Sequence, residues 1–168
     1  MKNKIALSVL FLFTVCFSSC EKDDICDANT PTTPQLVIEF YDAVNTTTLK
    51  NVTNLSINGV GGSGELLFSG VNTIKLPLKT NAEVTQYDLK INSTDATLKN
   101  SDDLQFNYTR KDQFVSRACG FKTLFYLDPI TPFELADSAV SDGLWIKNIL
   151  LNTSNIETEN ETHIKIYF

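Results

Sequence analysis

The feature that most constrains the fold of this 168-residue chain is a repeated alternation of apolar and polar side chains. A period of two predicts β-strands with one buried and one exposed face. No stretch keeps a period of 3.6 residues, and the best helical candidate, residues 133–140, would form at most a turn or two inside a crossover loop. The predicted strands are 36–41, 55–57, 74–79, 87–91, 104–108, 113–118, 121–127, 145–151 and 163–168.

Turn signals separate these segments at the spacing that a sandwich or a barrel requires. They include Asn58-Gly59, residues 99–103 and residues 110–112. The fold class predicted is all-β, an antiparallel β-sandwich of immunoglobulin-like architecture. A small barrel is the alternative, because periodicity defines the faces of strands but not the closure of a sheet. Lys75, Pro77 and Lys79 oppose an apolar face, which predicts an edge strand guarded against further pairing.

The N-terminus has the layout of an export signal. Lys2 and Lys4 precede an apolar run over residues 5–17, which is shorter than the roughly 20 residues that a spanning helix needs. The run leads into Ser18-Ser19-Cys20, which resembles the lipobox of bacterial lipoproteins. The resemblance implies that residues 1–19 are a signal peptide and that Cys20 becomes the lipid-modified N-terminus, which would anchor the protein to a membrane.

The charge balance argues against a nucleic-acid partner. The whole chain has 14 basic and 20 acidic side chains, and removal of residues 1–19 takes away Lys2 and Lys4 and no acid, which leaves 12 basic and 20 acidic side chains. Binding to a polyanion requires clustered Lys and Arg instead. Directly after Cys20, the segment Glu21-Lys22-Asp23-Asp24 resembles the acidic export tag of Bacteroidota surface lipoproteins. We therefore expect an outer-membrane protein on the cell surface, with the periplasmic face as the alternative.

Residues 20–34 are predicted to be a lipidated polar tether, since Pro31 and Pro34 punctuate a polar run. A single β-sandwich domain is expected over residues 35–168. Because Cys16 leaves with the signal peptide and Cys20 carries lipid, Cys26 and Cys119 remain as a disulfide pair in an oxidising compartment. The alternative is a reactive thiol at Cys119 with Arg117 beside it in sequence.

Candidate catalytic and metal-binding residues are sparse, so we expect a non-enzymatic protein without a cofactor or a metal. His163 is the single histidine, which excludes the usual His-rich zinc sites. The glycine-rich residues 59–64 lack the Lys-Ser/Thr ending of a phosphate loop and predict a flexible hairpin loop. Glu157, Glu159 and Glu161 alternate as calcium ligands or glycosidase acids might, but a solvated acidic loop is the better interpretation. The same interpretation is given to Asp102-Asp103.

Two further features concern sugars. Aromatic side chains stack on sugar rings where they are exposed, although packing within strands is their commoner fate. Separately, Asp137-Ser138-Ala139 resembles the triplet at which Bacteroidota envelope proteins are O-glycosylated, which makes Ser138 a candidate glycan site. The aromatic candidates are Tyr41, Tyr87, Tyr108, Tyr126 and Trp145.

Four segments together resemble an uncharacterised family of flavobacterial lipoproteins, a domain of unknown function. They are residues 20–26, 114–122, 145–149 and 163–168. The resemblance implies a lipid-anchored envelope domain and brings only the Cys20 lipid site as a residue-level function, while Cys26 and Cys119 match the two remaining cysteines of that family. We expect a binding or structural module whose partner is an unidentified envelope protein. The alternative is a glycan-binding accessory lipoprotein of an outer-membrane uptake system.

Overall fold

The structure is a computed structural model that describes residues 25–138 and 142–168. Within these residues the chain is all-β, with eleven strands and no helix, and so none that could cross a membrane. The strands are β1 (Leu36–Tyr41), β2 (Leu55–Gly59), β3 (Glu65–Phe68), β4 (Thr73–Leu76), β5 (Val84–Ile91), β6 (Asn100–Ser116), β7 (Gly120–Leu127), β8 (Phe133–Asp137), β9 (Asn148–Leu151), β10 (Asn155–Ile156) and β11 (Ile164–Tyr167).

One layer is a four-stranded sheet in the order β4-β1-β11-β9. β1 and β11 pair in parallel, with Ile38 opposite Ile164 and Tyr41 opposite Tyr167. The other two pairs are antiparallel. β4 lies at one end of this sheet, which confirms the edge strand predicted from its lysines and proline.

The other layer is a seven-stranded sheet in the order β10-β7-β6-β5-β2-β3, with β8 also paired to β6. The first part of the long strand β6 has β5 on one side and β8 on the other. Both sheets end in edge strands. The β-sandwich is therefore confirmed, and the barrel alternative is wrong.

Alternation along the strands builds the core between the sheets. In β1, Leu36, Ile38 and Phe40 are fully buried, and Leu104 and Phe106 occupy the same role in β6. Burial of each such side chain contributes about 1.5–3 kcal/mol. The core also contains Val52, Leu55, Ile57, Ile74, Leu76, Leu89, Phe125, Ile146, Ile156, Ile164 and Ile166.

Three local predictions were wrong. Residues 133–140 contain strand β8 instead of a short helix, because Phe133 and Leu135 pair with Phe106 and Leu104 across a ladder and pack against the core. The predicted turns at Asn58-Gly59, 99–103 and 110–112 lie largely or wholly within strands, the first in β2 and the other two in β6. Residues 113–118 do not form a separate strand, because β6 continues to Ser116.

The contacts divide the chain into two compact units. Among the described residues, the smaller one contains residues 25–32 together with Phe114–Lys122, and the larger one contains those of Thr33–Gln113 and Thr123–Phe168. The smaller unit includes the tip of the β6–β7 hairpin, where Phe114 and Phe121 meet edge to face at 5.4 Å between ring centroids. The features described below each belong to one of these units.

Candidate functional site

The outward surface of the four-stranded sheet carries a pair of tyrosines. Tyr41 and Tyr167 lie directly opposite each other in the parallel β1–β11 pair, with ring centroids 5.5 Å apart and planes tilted by 32°. The Lys165 ammonium lies 5.3 Å from the centroid of the Tyr41 ring, within the range of a cation–π contact. We call Glu39, Tyr41, Lys165 and Tyr167, with Asn148 and Leu150 of β9, the tyrosine face.

Strand alternation places this set outside the core. Ile38 and Phe40 point inward from β1, as Ile164 and Ile166 do from β11, so the intervening residues point outward. The Tyr41 hydroxyl donates a 2.8 Å hydrogen bond to Glu39 Oε2, and this bond raises the pKa of the tyrosine. The hydroxyl therefore stays protonated at neutral pH, with its single hydrogen directed at Glu39.

A surface cavity of about 420 Å³ adjoins the tyrosine face. It combines one aromatic ring with an ammonium, an amide and aliphatic groups. This mixture suits a ligand with both apolar and hydroxyl surface, such as a sugar ring or a peptide side chain. The lining residues are Ala43, Thr46, Lys147, Asn148, Leu150 and Tyr167.

A second surface feature lies beside β3, an edge strand of the seven-stranded sheet. The glycine-rich residues 60–64 connect β2 to β3, which confirms the predicted hairpin loop. This loop borders a groove of about 370 Å³ that also involves Leu78 and Tyr87. Lys79 Nζ donates a 3.0 Å hydrogen bond to the Val60 carbonyl and so holds the loop beside the groove.

The predicted cysteine pair forms a disulfide in the structure. Cys26 and Cys119 are joined with a Cα–Cα distance of 5.0 Å. Cys119 therefore has no free thiol, and the alternative of a reactive thiol is wrong. Cys20 and the predicted export tag, Glu21, Lys22, Asp23 and Asp24, lie outside the described residues.

Ser138 follows β8 directly and is half-buried. Its backbone N–H donates a 3.2 Å hydrogen bond to the Ser101 carbonyl. The residue lines a cavity of about 440 Å³ together with Asp88, Lys90 and Asp103, among others. Glycosylation at Ser138 stays a prediction.

The lone histidine is a core residue. His163 is fully buried, and its Nδ1 accepts a 2.9 Å hydrogen bond from the Val37 N–H. The backbone N–H of His163 donates a 3.0 Å hydrogen bond to the Val37 carbonyl. Burial lowers the pKa of the imidazole, against the opposing effect of Glu161, the Thr158 backbone and Glu159. The geometry assigns His163 a structural role in joining β1 to the start of β11.

The five aromatic candidates separate by burial. Tyr87, Tyr108 and Trp145 are at most 7% exposed and belong to the core. Tyr41 and Tyr126 keep part of their surface, and the Tyr126 hydroxyl donates to Glu157 at 2.7 Å. Sequence reasoning missed Tyr167 as a candidate. The only signal in the sequence was its outward position on the last strand. Tyr167 becomes a candidate because its ring lies beside that of Tyr41, which is more than a hundred residues earlier in the chain.

The acidic candidates also separate. Glu159 forms a 2.8 Å ion pair with Lys75 and accepts a hydrogen bond from the Gln35 N–H, so it fastens the loop before β11. Asp102 is fully buried in β6, and its interpretation as part of a solvated loop was wrong. Among residues 25–138 and 142–168, no group of three or more His, Cys, Asp or Glu side chains is placed to hold a metal ion.

Comparison with protein families yields a match over most of the chain. DUF6452, a family of unknown function, matches residues 54–168. The chain belongs to DUF6452. The match contains every strand of the seven-stranded sheet, whereas β1 and Cys26 precede it. No curated protein and no solved structure matches this DUF6452 chain.

Proposed function

We propose that this protein is a lipid-anchored, non-enzymatic binding module of the cell envelope that engages a partner protein at the outer membrane. Cys20 would carry the lipid, and Glu21 to Asp24 would direct the protein to the cell surface. The observation that carries the binding role is the exposed β3 edge of the seven-stranded sheet.

The edge strands β4 and β3 differ in the residues that they carry. β4 carries Lys75 and is followed by Pro77 and Lys79, which is how proteins block unwanted strand addition. β3, with the sequence Glu65-Leu66-Leu67-Phe68, contains neither a lysine nor a proline. Leu66 and Leu67 are 38% and 69% exposed, and Leu66 lines the groove beside the glycine-rich loop. An extended segment of a partner can pair with such an edge through its backbone and place side chains in the adjacent groove.

Site-specific photo-crosslinking in native cells tests this role. A photoreactive side chain at Leu67 should give a discrete adduct of one additional protein mass. The matched control is the same group at Lys75, on the guarded edge, which should give no such adduct. Equal adduct patterns from the two positions, or none from Leu67, would contradict the proposed edge interaction.

A second candidate function is glycan binding in support of an outer-membrane uptake system. The tyrosine face favours it, because Tyr41 and Tyr167 present aromatic surface beside the amide of Asn148 and the ammonium of Lys165. Retention on a glycan affinity gel should be lost in Tyr41→Ala and Tyr167→Ala but kept in Tyr126→Ala, whose tyrosine lies on the other sheet. A wild-type protein that no glycan retains would exclude this candidate.

A further inference from the structure

At the beginning of β6, two buried side-chain oxygen atoms have no hydrogen-bond donor. Asp102 is fully buried, and its Oδ2 accepts a 2.8 Å hydrogen bond from the Ile146 N–H, whereas its Oδ1 has no hydrogen-bond partner. The Oδ1 atom of Asn100 is likewise buried without a partner. Unsatisfied buried acceptors are rare in native proteins, and each one requires an explanation such as a bound ion or water.

A second carboxylate faces the same place. Asn100 and Asp102 are two residues apart on β6 and share one face, and Asp137 of β8 lies directly opposite Asp102 in register. Directly opposed residues of an antiparallel pair have Cβ atoms about 4.5–5.5 Å apart. Two carboxylates and one amide oxygen therefore converge at this end of the core-facing surface.

Residues 143–146, which come between β8 and β9 in the chain, are hydrogen-bonded to these side chains. Asn100 Nδ2 donates a 2.5 Å hydrogen bond to the Gly143 carbonyl, and the Gly143 N–H donates a 3.0 Å bond to Asp137 Oδ2. The Ile146 N–H completes the attachment through Asp102. The donors of Asn100, Gly143 and Ile146 are thus used to hold the segment, and the Oδ1 atoms of Asn100 and Asp102 keep no hydrogen-bond donor.

Charge makes this arrangement costly without a counterion. Burial, with a smaller contribution from the neighbouring Asp137 carboxylate, raises the pKa of Asp102 to about 6. The backbone hydrogen bonds from Ile146 and Trp145, and to a lesser degree the charge of Lys147, offset this increase only in part. Uncompensated burial of a carboxylate is among the most expensive features a fold can have. A cation beside the two carboxylates would reduce their repulsion and would give a partner to the Oδ1 atoms of Asn100 and Asp102.

We propose that Asn100, Asp102 and Asp137 form a Ca²⁺ site that ties β6 and β8 to residues 143–146. The donor set consists of oxygen alone, which selects a hard cation, and the mixture of carboxylate and amide oxygens in an irregular arrangement suits Ca²⁺ better than octahedral Mg²⁺. Because only two carboxylates contribute, water completes the coordination shell, and the affinity belongs to the weak class of extracellular modules, with a Kd of about 0.1–1 mM.

Thermal unfolding of the full-length protein in detergent, stripped with chelator at pH 7.5, tests the site. Addition of CaCl₂ to 10 mM should raise Tm saturably by about 3–10 °C, and MgCl₂ at equal ionic strength should raise it far less. Asp102→Asn should abolish the Ca²⁺ shift. Asp103→Asn is the matched control, because its side chain is on the opposite face of β6, and it should keep the shift.

Asn100→Asp provides an independent variant that gains a carboxylate. Calcium titration calorimetry should show binding several-fold tighter than in the wild type if the cation site exists. The proposal is overturned if Ca²⁺ leaves Tm unchanged, or if the shift is the same in Asp102→Asn as in the wild type. A shift absent with Ca²⁺, together with an Asp102→Asn variant more stable than the wild type at pH 7.5, would identify a proton or water as the occupant instead.

Discussion

At the scale of single residues, the buried polar groups of this protein act as connectors between elements. His163 joins Val37 through two hydrogen bonds, one to its ring and one to its backbone. The Trp145 indole N–H donates a 2.9 Å bond to the Leu89 carbonyl, which anchors the segment before β9 to β5. Both side chains are buried and make these contacts within the core, so removal of either one is expected to cost stability.

Acidification should weaken the core through His163. Its pKa is lowered in the folded state, so the unfolded state binds more protons, and the stability that depends on the neutral ring is lost as pH falls through about 6.5. Protonation would also turn Nδ1 into a donor that faces the Val37 N–H. His163→Asn, which keeps an acceptor but cannot titrate, should flatten the decline in urea midpoint between pH 7 and pH 5.

Asp102 titrates in the same pH range, and its effect on stability has the opposite sign to that of His163. Both proteins contain Asp102, so the difference between wild type and His163→Asn at each pH reports on His163 alone. The raised pKa of Asp102 means that its contribution falls as pH rises toward 6 and beyond. Parallel pH profiles for the two proteins would contradict the role of His163.

A second residue-scale prediction concerns Trp145. Trp145→Phe removes the indole donor and leaves the Leu89 carbonyl without that partner in a buried environment. The expected loss is about 1–3 kcal/mol in the free energy of unfolding, since an orphaned buried group costs its desolvation. Urea denaturation measures it. Tyr126→Phe, which removes a hydroxyl contact at the surface, is the control and should change stability by less.

At the scale of elements, the disulfide constrains a long stretch of chain. Cys26 and Cys119 are 93 residues apart in sequence, so the bond closes a long loop and reduces the conformational entropy of the unfolded chain. In the chain-entropy model such a loop contributes about 4 kcal/mol.

The double variant Cys26→Ser, Cys119→Ser should therefore unfold at a clearly lower urea concentration than the oxidised protein. Reduction of the wild type should give the same midpoint as the double variant. An unchanged midpoint in both would show that the smaller unit opens without any effect on the rest of the chain.

At the scale of the whole molecule, the prediction concerns the location of the domain on the cell surface. Protease shaving of intact cells tests whether the domain lies outside, with a soluble periplasmic protein as the leakage marker. Digestion of the domain while the marker survives is the expected result. Cys20→Ala, which lacks the lipid acceptor, should lose membrane attachment altogether. Protection of the wild-type domain would place it on the periplasmic side and would make Glu21 to Asp24 an ordinary tether.

The elements that the sequence identified best are those whose alternation is unbroken. β1, β5 and residues 104–108 of β6 show clean alternation in sequence, and the structure buries the expected residues. β8 was mistaken for a short helix because Phe133 and Leu135 carry only a brief signal, and its pairing with β6 is what makes it a strand. β3 and β10 are short and were not predicted.

The candidate surfaces were predictable only in part, for the same reason. Tyr41 was recognised as a candidate, but its partner Tyr167 becomes its neighbour through a parallel pairing of the first and last strands. Asp102 and Asp137 are separated by a strand and a long connection, and their charges meet only because β8 returns beside β6.

The sequence by itself determined the fold class, the disulfide pair and the core-facing residues, because these depend on local periodicity and on the number of available cysteines. Tertiary structure alone decided which edge is left unguarded, which tyrosines stack and which carboxylates are buried together. These features depend on strand order and register. A register contact joins residues distant in the chain, and no local pattern encodes which strand will lie beside which.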